Sequence, residues 1–379
     1  MINENSVHPI GRWSEIEKTK EIIDLKQGMD FREPQYRREV FLRFYEFHLK
    51  YRSHPGAVYF MFPYLQYKFS LTEEDMYWLT FINGVSQNIV TTWTIFKKYP
   101  NFNINPDEIQ QYILDNWNKL EWDMDRRYWK TKFGKALESY QTLVGNKTQK
   151  QFWEELGSFK NCWETVLNKF YAFGRLSTFS FLEYQRIIGL DIDCDELFLT
   201  DMSGSKSHRN GLAIVLGRDD LDWHNKTNPN FQGYKKEHLS WLIEEGELLL
   251  EESKIRFKNK PFYKDVSYFT LESTLCCYKS WHRKNRRYPN VYVDMFHDRI
   301  KRAEKVWEGK EDFNLFWEAR EKYLPNNLRL ECNPSDPGLH PIKQNHYLKT
   351  GQVIMMDNDW ECFKNDFNQN LNNNLEKFI

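Results

Sequence analysis

The chain has 379 residues, 40% hydrophobic and 17% aromatic, with 53 basic against 54 acidic side chains and a net charge of −1. A mean hydropathy of −0.76 and the lack of any apolar run of about 18 residues exclude a hydrophobic membrane span. The six cysteines make no disulfide scaffold in so long a chain, and the N-terminus lacks the basic-then-apolar pattern of a secretory signal, so a cytoplasmic protein with reduced thiols is expected.

Residues 1–36 are polar and read as a peripheral segment. Helical spacing of apolar residues starts at 37–51 (RREVFLRFYEFHLKY) and stops at the turn 53–56 (SHPG). A short aromatic segment follows. The run 70–75 (SLTEED) then places Thr72 or Ser70 ahead of acidic residues, the pattern of a capping box. It opens a stretch, 77–100, that reads as one amphipathic helix with an amide-rich face. Asn83 and Gln87 are four apart and so share a side of that helix, among Trp78, Phe81, Ile82 and Val85. Amides on an apolar face need hydrogen-bond partners. A uracil or thymine edge would serve, and so would neighbouring loops in an all-α core.

Further helices are expected at 107–118, 123–140, 149–173, 179–189, 235–253, 268–279, 292–307 and 314–323. Strand-like patterns are confined to 212–215 and 352–356. The expected class is therefore mainly α with minor β elements. The helical domain spans 37–325, with a soft break near 140–150, and 326–379 forms a loop and an Asn-rich tail.

The phosphate loop GxxxxGK[ST], the dinucleotide fingerprint GxGxxG, zinc signatures and the GxSxG elbow are all missing from the sequence. Simple kinase, Rossmann, zinc-deaminase and hydrolase readings fall with them. Balanced net charge leaves nucleic acid open, because a local basic groove suffices for phosphate contacts. The candidate basic clusters are 126–135, 206–209 (KSHR) and 282–287 (HRKNRR).

Three segments concentrate reactive residue types. In the first, Gly174 and Arg175 sit at a helix end. In the same segment 203–209 reads as a polar loop whose Lys206, His208 and Arg209 suit a phosphate; a solvated loop is the plainer reading. In the second, 268–279 (YFTLESTLCCYK), Glu272, Leu275, Cys276 and Lys279 fall on one helical face, putting a carboxylate beside a thiol. Cysteine alone is usually a small core residue, but a buried carboxylate needs a partner. In the third, 286–299 (RRYPNVYVDMFHDR), Asp294 is either a helix cap or a general base.

The blocks FINGVSQNIVTTWTIFKKYP, YAFGRLSTF, SHRNGLAIVLG, YFTLESTLCCYKSWHR and RRYPNVYVDMFHDRI, taken in order, resemble the phage α-glutamyl/putrescinyl-thymine pyrophosphorylases, the amino acid:DNA transferases. The resemblance covers roughly 37–305 and implies a helical DNA glycosylase-like architecture. It also implies a reaction. DNA carrying pyrophosphorylated 5-hydroxymethyluracil exchanges its pyrophosphate for the amine of glycine, glutamate or putrescine, in the host cytoplasm.

On this reading Lys206, His208, Arg209 and Arg175 bind the leaving pyrophosphate, and Arg286 and Arg287 hold the DNA backbone. Asn83 and Gln87 read the extruded base. Glu272 or Asp294 deprotonates the donor, and Cys276 adds to C6 of the uracil to help expel pyrophosphate. No cofactor is called for; magnesium beside the pyrophosphate, through Asp201 or Asp294, is compatible with the chemistry, with no dedicated metal cage in the sequence. The alternatives are a DNA glycosylase acting on a modified pyrimidine, against which the lack of an LPGVG-type hairpin counts, and a non-enzymatic phage DNA-binding protein.

Overall fold

The computed structural model describes residues 34–51, 57–122, 129–202, 206–223, 231, 233–281 and 291–323. Its regular elements are α1 (Arg37–Tyr51), α2 (Val58–Phe69), α3 (Glu73–Ser86), α4 (Ile89–Lys98), α5 (Pro106–Asp115), α6 (Phe133–Val144) and α7 (Gln149–Leu156). They continue with α8 (Phe159–Lys169), α9 (Arg175–Ile187), α10 (Lys206–Val215), α11 (Lys236–Phe257), α12 (Tyr268–Trp281), α13 (Val291–Trp307) and α14 (Asn314–Tyr323). Among the described residues there is no strand, and no helix is long and apolar enough to cross a membrane.

The strand-like run 212–215 is the second half of α10. Leu212, Ala213, Ile214 and Val215 are all buried. A helix enclosed on every side gives a continuous apolar run, which periodicity cannot tell from a buried strand. The other such run, 352–356, lies outside the described residues.

The stretch 77–100 is not one helix. Gln87 closes α3 in the left-handed conformation (φ 52°), its N–H donating to the Asn83 carbonyl at 2.7 Å. Asn88 caps α4, its Oδ1 accepting from the N–H groups of Val90 at 3.1 Å and Thr91 at 3.3 Å. Asn83 Oδ1 accepts from Thr92 Oγ1 at 3.0 Å, which also bonds Ser86 Oγ at 2.8 Å. The amides therefore do not line one helical face, because Asn and Gln here satisfy the ends of two helices. Thr72 is the cap of α3, in a capping box with Asp75. The stretch 149–173 likewise breaks, at Gly157 (φ 68°), and Ser158 caps α8 through the Asn161 N–H at 3.2 Å.

The chain divides into two compact units at 54/55, 194/195 and 291/292, so neither is continuous in sequence. One holds α1 and α10–α12. Within it, α1 is tied to its neighbours by Arg37 on Asp219 (2.6 Å), by Arg256 gripping both oxygens of Glu39 (2.7 and 2.8 Å), and by Tyr278 donating to the Arg37 carbonyl (3.0 Å). Burial pushes the Glu39 carboxyl up, but hydrogen bonds and charge from Arg256 and Arg43 outweigh it and hold the group below the usual carboxylate range.

His48, on the same helix, is buried edge-on against Phe44, with centroids 4.3 Å apart. Burial alone pushes its pKa down to about 3. The unfolded chain, with an ordinary histidine near 6.5, then binds a proton that the folded chain refuses between pH 6.5 and 3. Stability falls as pH drops through that window, by about 1.4 kcal/mol per unit. Urea titrations at pH 6.5 and pH 5 are expected to differ by about 2 kcal/mol. The difference should shrink in His48→Phe, and an unchanged difference would assign the acid sensitivity elsewhere.

The other unit holds α2–α9, α13 and α14. Its core is aromatic: Phe81 on α3 has the rings of Trp78, Phe133, Tyr140, Phe173 and Phe181 within 6.0 Å, centroid to centroid. Aromatic pairs at such distances add to the burial of their area. Gly84, one turn on, leaves room for Phe181, which would lie 3.0 Å from a Cβ there. Buried polar groups are paired across helices, as in Tyr59 Oη donating to Glu183 at 2.8 Å and Gln185 Nε2 to Thr80 at 2.9 Å.

Candidate functional site

The densest grouping of chemically capable side chains is where α10 crosses α12. Two helices come this close only where one lacks side chains: a Cβ on Gly211 would lie 2.1 Å from the Leu275 carbonyl oxygen. The face of α12 expected to carry Glu272, Leu275 and Lys279 does face α10, meeting it in three successive contacts. Glu272 reaches His208, Leu275 meets Gly211, and Lys279 Nζ donates to Ser207 Oγ at 2.6 Å. Cys276 lies on the same helix one turn after Glu272 and is half-buried.

His208 and Glu272 form a buried pair. His208 Nδ1 is 2.8 Å from Glu272 Oε1, and Nε2 is 2.6 Å from the Leu197 carbonyl. A carbonyl can only accept, so Nε2 carries a hydrogen. The other ring nitrogen, Nδ1, faces the carboxylate. The arrangement fixes the imidazole between two acceptors and orients one carboxylate oxygen.

The remaining side chains of the first turns of α10 are equally committed. Arg209 is fully buried and lies 4.7 Å from the centre of the Tyr234 ring, with Nη1 donating to the Leu199 carbonyl at 2.8 Å and the Asp201 carbonyl at 3.1 Å. Its Nε and Nη2 have no hydrogen-bond acceptor, and among the described residues no carboxylate pairs with it. A buried cation neutralised only by carbonyls and a ring leaves a positive potential in its surroundings. Burial raises the Tyr234 hydroxyl above its ordinary range, with Arg209 opposing the shift.

Asn210 clips the following segment onto the helix, donating to the Trp223 carbonyl and accepting from the Trp223 N–H, both at 3.0 Å. Lys206 is exposed, its ammonium 4.4 Å from the centre of the Trp223 ring. Three cations, Lys206, Arg209 and Lys279, thus stand around the start of α10, beside one oriented acid–base pair.

This corrects one expectation. Residues 206–209 belong to a helix, and His208 and Arg209 are buried in it; only Lys206 is exposed to solvent. The Gly-Ser loop at 203–205 lies outside the described residues. Asn83, Gln87 and Arg175 belong to the other unit: Asn83 and Gln87 at the α3–α4 break, and Arg175 as the half-buried first residue of α9, with Gly174 as its cap. Asp294 is within α13, with its side chain outside the described residues, as are Arg286 and Arg287 entirely. Sequence reasoning did not find Ser207, Asn210, Trp223 or Tyr234. Their roles follow from contacts 13 to 72 positions apart in the chain, for which no local pattern exists.

Residues 61–287 match the family model described as amino acid:DNA transferase, a span that contains His208, Arg209, Glu272 and Cys276. A serinyltransferase of Salmonella phage ViI is 29% identical over 296 residues, which cover 73% of this chain and 71% of that protein. No solved structure matches the chain.

Proposed function

Because the chain belongs to the amino acid:DNA transferase family and so transfers an amino acid onto DNA, we propose that its acceptor is the pyrophosphorylated hydroxymethyl group of 5-hydroxymethyluracil, with the α10–α12 crossing as the reacting centre. The observation that carries the assignment is the buried His208–Glu272 pair beside Lys206, Arg209 and Lys279. Displacement at this carbon needs two things: a base for the donor, since only a deprotonated nucleophile attacks, and positive charge for the departing pyrophosphate. The crossing holds both.

Glu272 takes the proton from the donor, with His208 fixing its orientation. The nucleophile forms a bond to the exocyclic CH2 carbon as the C–O bond to pyrophosphate breaks. The electron pair leaves on the pyrophosphate, which Lys206 and Lys279 meet from the surface and Arg209 from beneath. The positive potential at the start of α10 adds to them.

The relative's name adds serine to the donors already considered, glycine, glutamate and putrescine. Serine presents an amine and a hydroxyl, and Glu272 would serve as base for either. A strand-break and abasic-site assay on the modified DNA separates this reading from a glycosylase. Pyrophosphate release that requires both donor and modified DNA is the expected result, whereas free base released without a donor would replace the proposal.

A further inference from the structure

We propose that the unit built on α2–α9, α13 and α14 carries a separate pocket for one nucleotide of the DNA, its base held against tryptophan and its phosphate by Lys119 and Lys130. The pocket rests on the transferase reading only in taking DNA as the substrate.

The cavity measures about 440 Å³ and lies between α4, the segment 117–122, Lys130 and α13. That volume is within the range of small-molecule sites, about 300–1,000 Å³, and far exceeds what a free serine or glycine fills. Among the described residues its walls carry four cations, Lys119, Lys130, Arg299 and Arg302, and one carboxylate, Glu121. Arg302 Nε already pairs with Glu121 at 3.0 Å, and among the described residues Lys119 and Lys130 form no ion pair with a carboxylate. The indoles of Trp117, Trp122 and Trp307 share the same walls.

Two buried donors stand in these walls. Lys130 is more than nine-tenths buried. Its ammonium donates to the Trp117 carbonyl at 2.6 Å and sits 4.7 Å from the centre of that ring. Among the described residues it forms no ion pair, although an ammonium has three hydrogens to donate. Burial pushes its pKa down, Glu121 opposing, which is the signature of a cation lacking a close anion. Trp122 is 3% exposed and its indole N–H has no acceptor. A buried donor without an acceptor costs roughly 1–3 kcal/mol, and the Lys130 ammonium keeps hydrogens that an oxygen of a bound ligand could accept.

The walls are held by their own contacts, so the opening is built into the unit. Thr91 Oγ1 donates to the Glu121 carbonyl at 2.6 Å, and Gln110 Nε2 donates to the Lys130 carbonyl at 2.6 Å. Lys119 lies 5.0 Å from the Trp307 ring centre. Trp117 keeps 38% of its surface exposed, an aromatic plane at the rim. Aromatic planes beside lysines without a paired carboxylate are complementary to a base and its phosphate, since stacking takes any base and the cations take the backbone.

The test uses the full chain and a labelled oligothymidylate, read by fluorescence anisotropy. A fully abasic oligodeoxynucleotide of the same length serves as the base-free probe. Trp117→Ala should weaken oligothymidylate binding about fivefold to a hundredfold, the range of one base stack. Lys119→Glu should weaken it and flatten its salt dependence. Both should retain wild-type melting. Glu272→Gln, in the other unit, should bind oligothymidylate as the wild type does, which keeps this outcome separate from failure of the transfer chemistry. Wild-type affinity in both pocket variants overturns the proposal. Equal binding of the abasic probe overturns the base-binding half and leaves only a phosphate surface.

Discussion

Glu272→Gln is expected to lose donor transfer by about a hundredfold to ten-thousandfold, the range of a positioned general base, while melting as the wild type does. The substitution is chosen for its hydrogen bonding. A glutamine NH2 can still donate to His208 Nδ1, so the buried contact between α10 and α12, 2.8 Å in the native pair, survives. What is lost is the capacity to hold a proton. If the carboxylate only ties two helices together, activity will follow stability and remain near that of the wild type. His208→Gln reports the same pair from the other side: it should lower turnover less than Glu272→Gln, because it disturbs the orientation of the base and leaves the base itself. Single-turnover rates at saturating donor, with thermal melts of each variant, decide between the two outcomes.

Gly211→Ala should destabilise the protein by about 3 kcal/mol or more, at or above the usual cost of overpacking a core. Replacing a mid-helix glycine with alanine ordinarily gains roughly 1 kcal/mol of helix propensity, so the sign here is set by packing alone. The added carbon would stand 2.1 Å from the Leu275 carbonyl oxygen and 2.7 Å from its carbon, both backbone atoms that no rotamer change can move. The helices must separate by an ångström or more, and the His208–Glu272 distance opens with them. Urea denaturation should show the loss of stability. Transfer should fall in the protein that remains folded. A Gly211→Ala protein as stable as the wild type would mean that the crossing is looser than the geometry gives.

Most helices are legible in the sequence, because their apolar spacing and caps are local: α1 and α14 run as the pattern predicts, Thr72 starts α3, and the 272/275/279 face of α12 meets another helix. The failures share a physical origin. Residues 203–209 read as a loop because Ser, Lys, His and Arg look solvated, yet His208 and Arg209 are buried by partners remote in sequence, Leu197, Glu272 and Tyr234. Asn83, Gln87 and Asn88 form a binding face only if helical spacing continues across Gln87, whose left-handed backbone ends the helix. The pocket at Lys130 was visible only as a basic stretch and scattered tryptophans. Its cavity needs α13, some 170 positions further on, which contributes Arg299, Arg302 and Trp307.

The most direct measurement is nucleoside mass spectrometry after transfer. DNA bearing pyrophosphorylated 5-hydroxymethyluracil is incubated with the protein and a pool of serine, glycine, glutamate and putrescine, then digested to nucleosides. The account predicts one new nucleoside heavier than thymidine by the donor less two hydrogens, appearing with an equal amount of pyrophosphate, and fragmentation of a serine adduct tells an N-linked from an O-linked product. Pyrophosphate lost to water with 5-hydroxymethyl-2′-deoxyuridine regenerated, or abasic DNA with free base released, would contradict it.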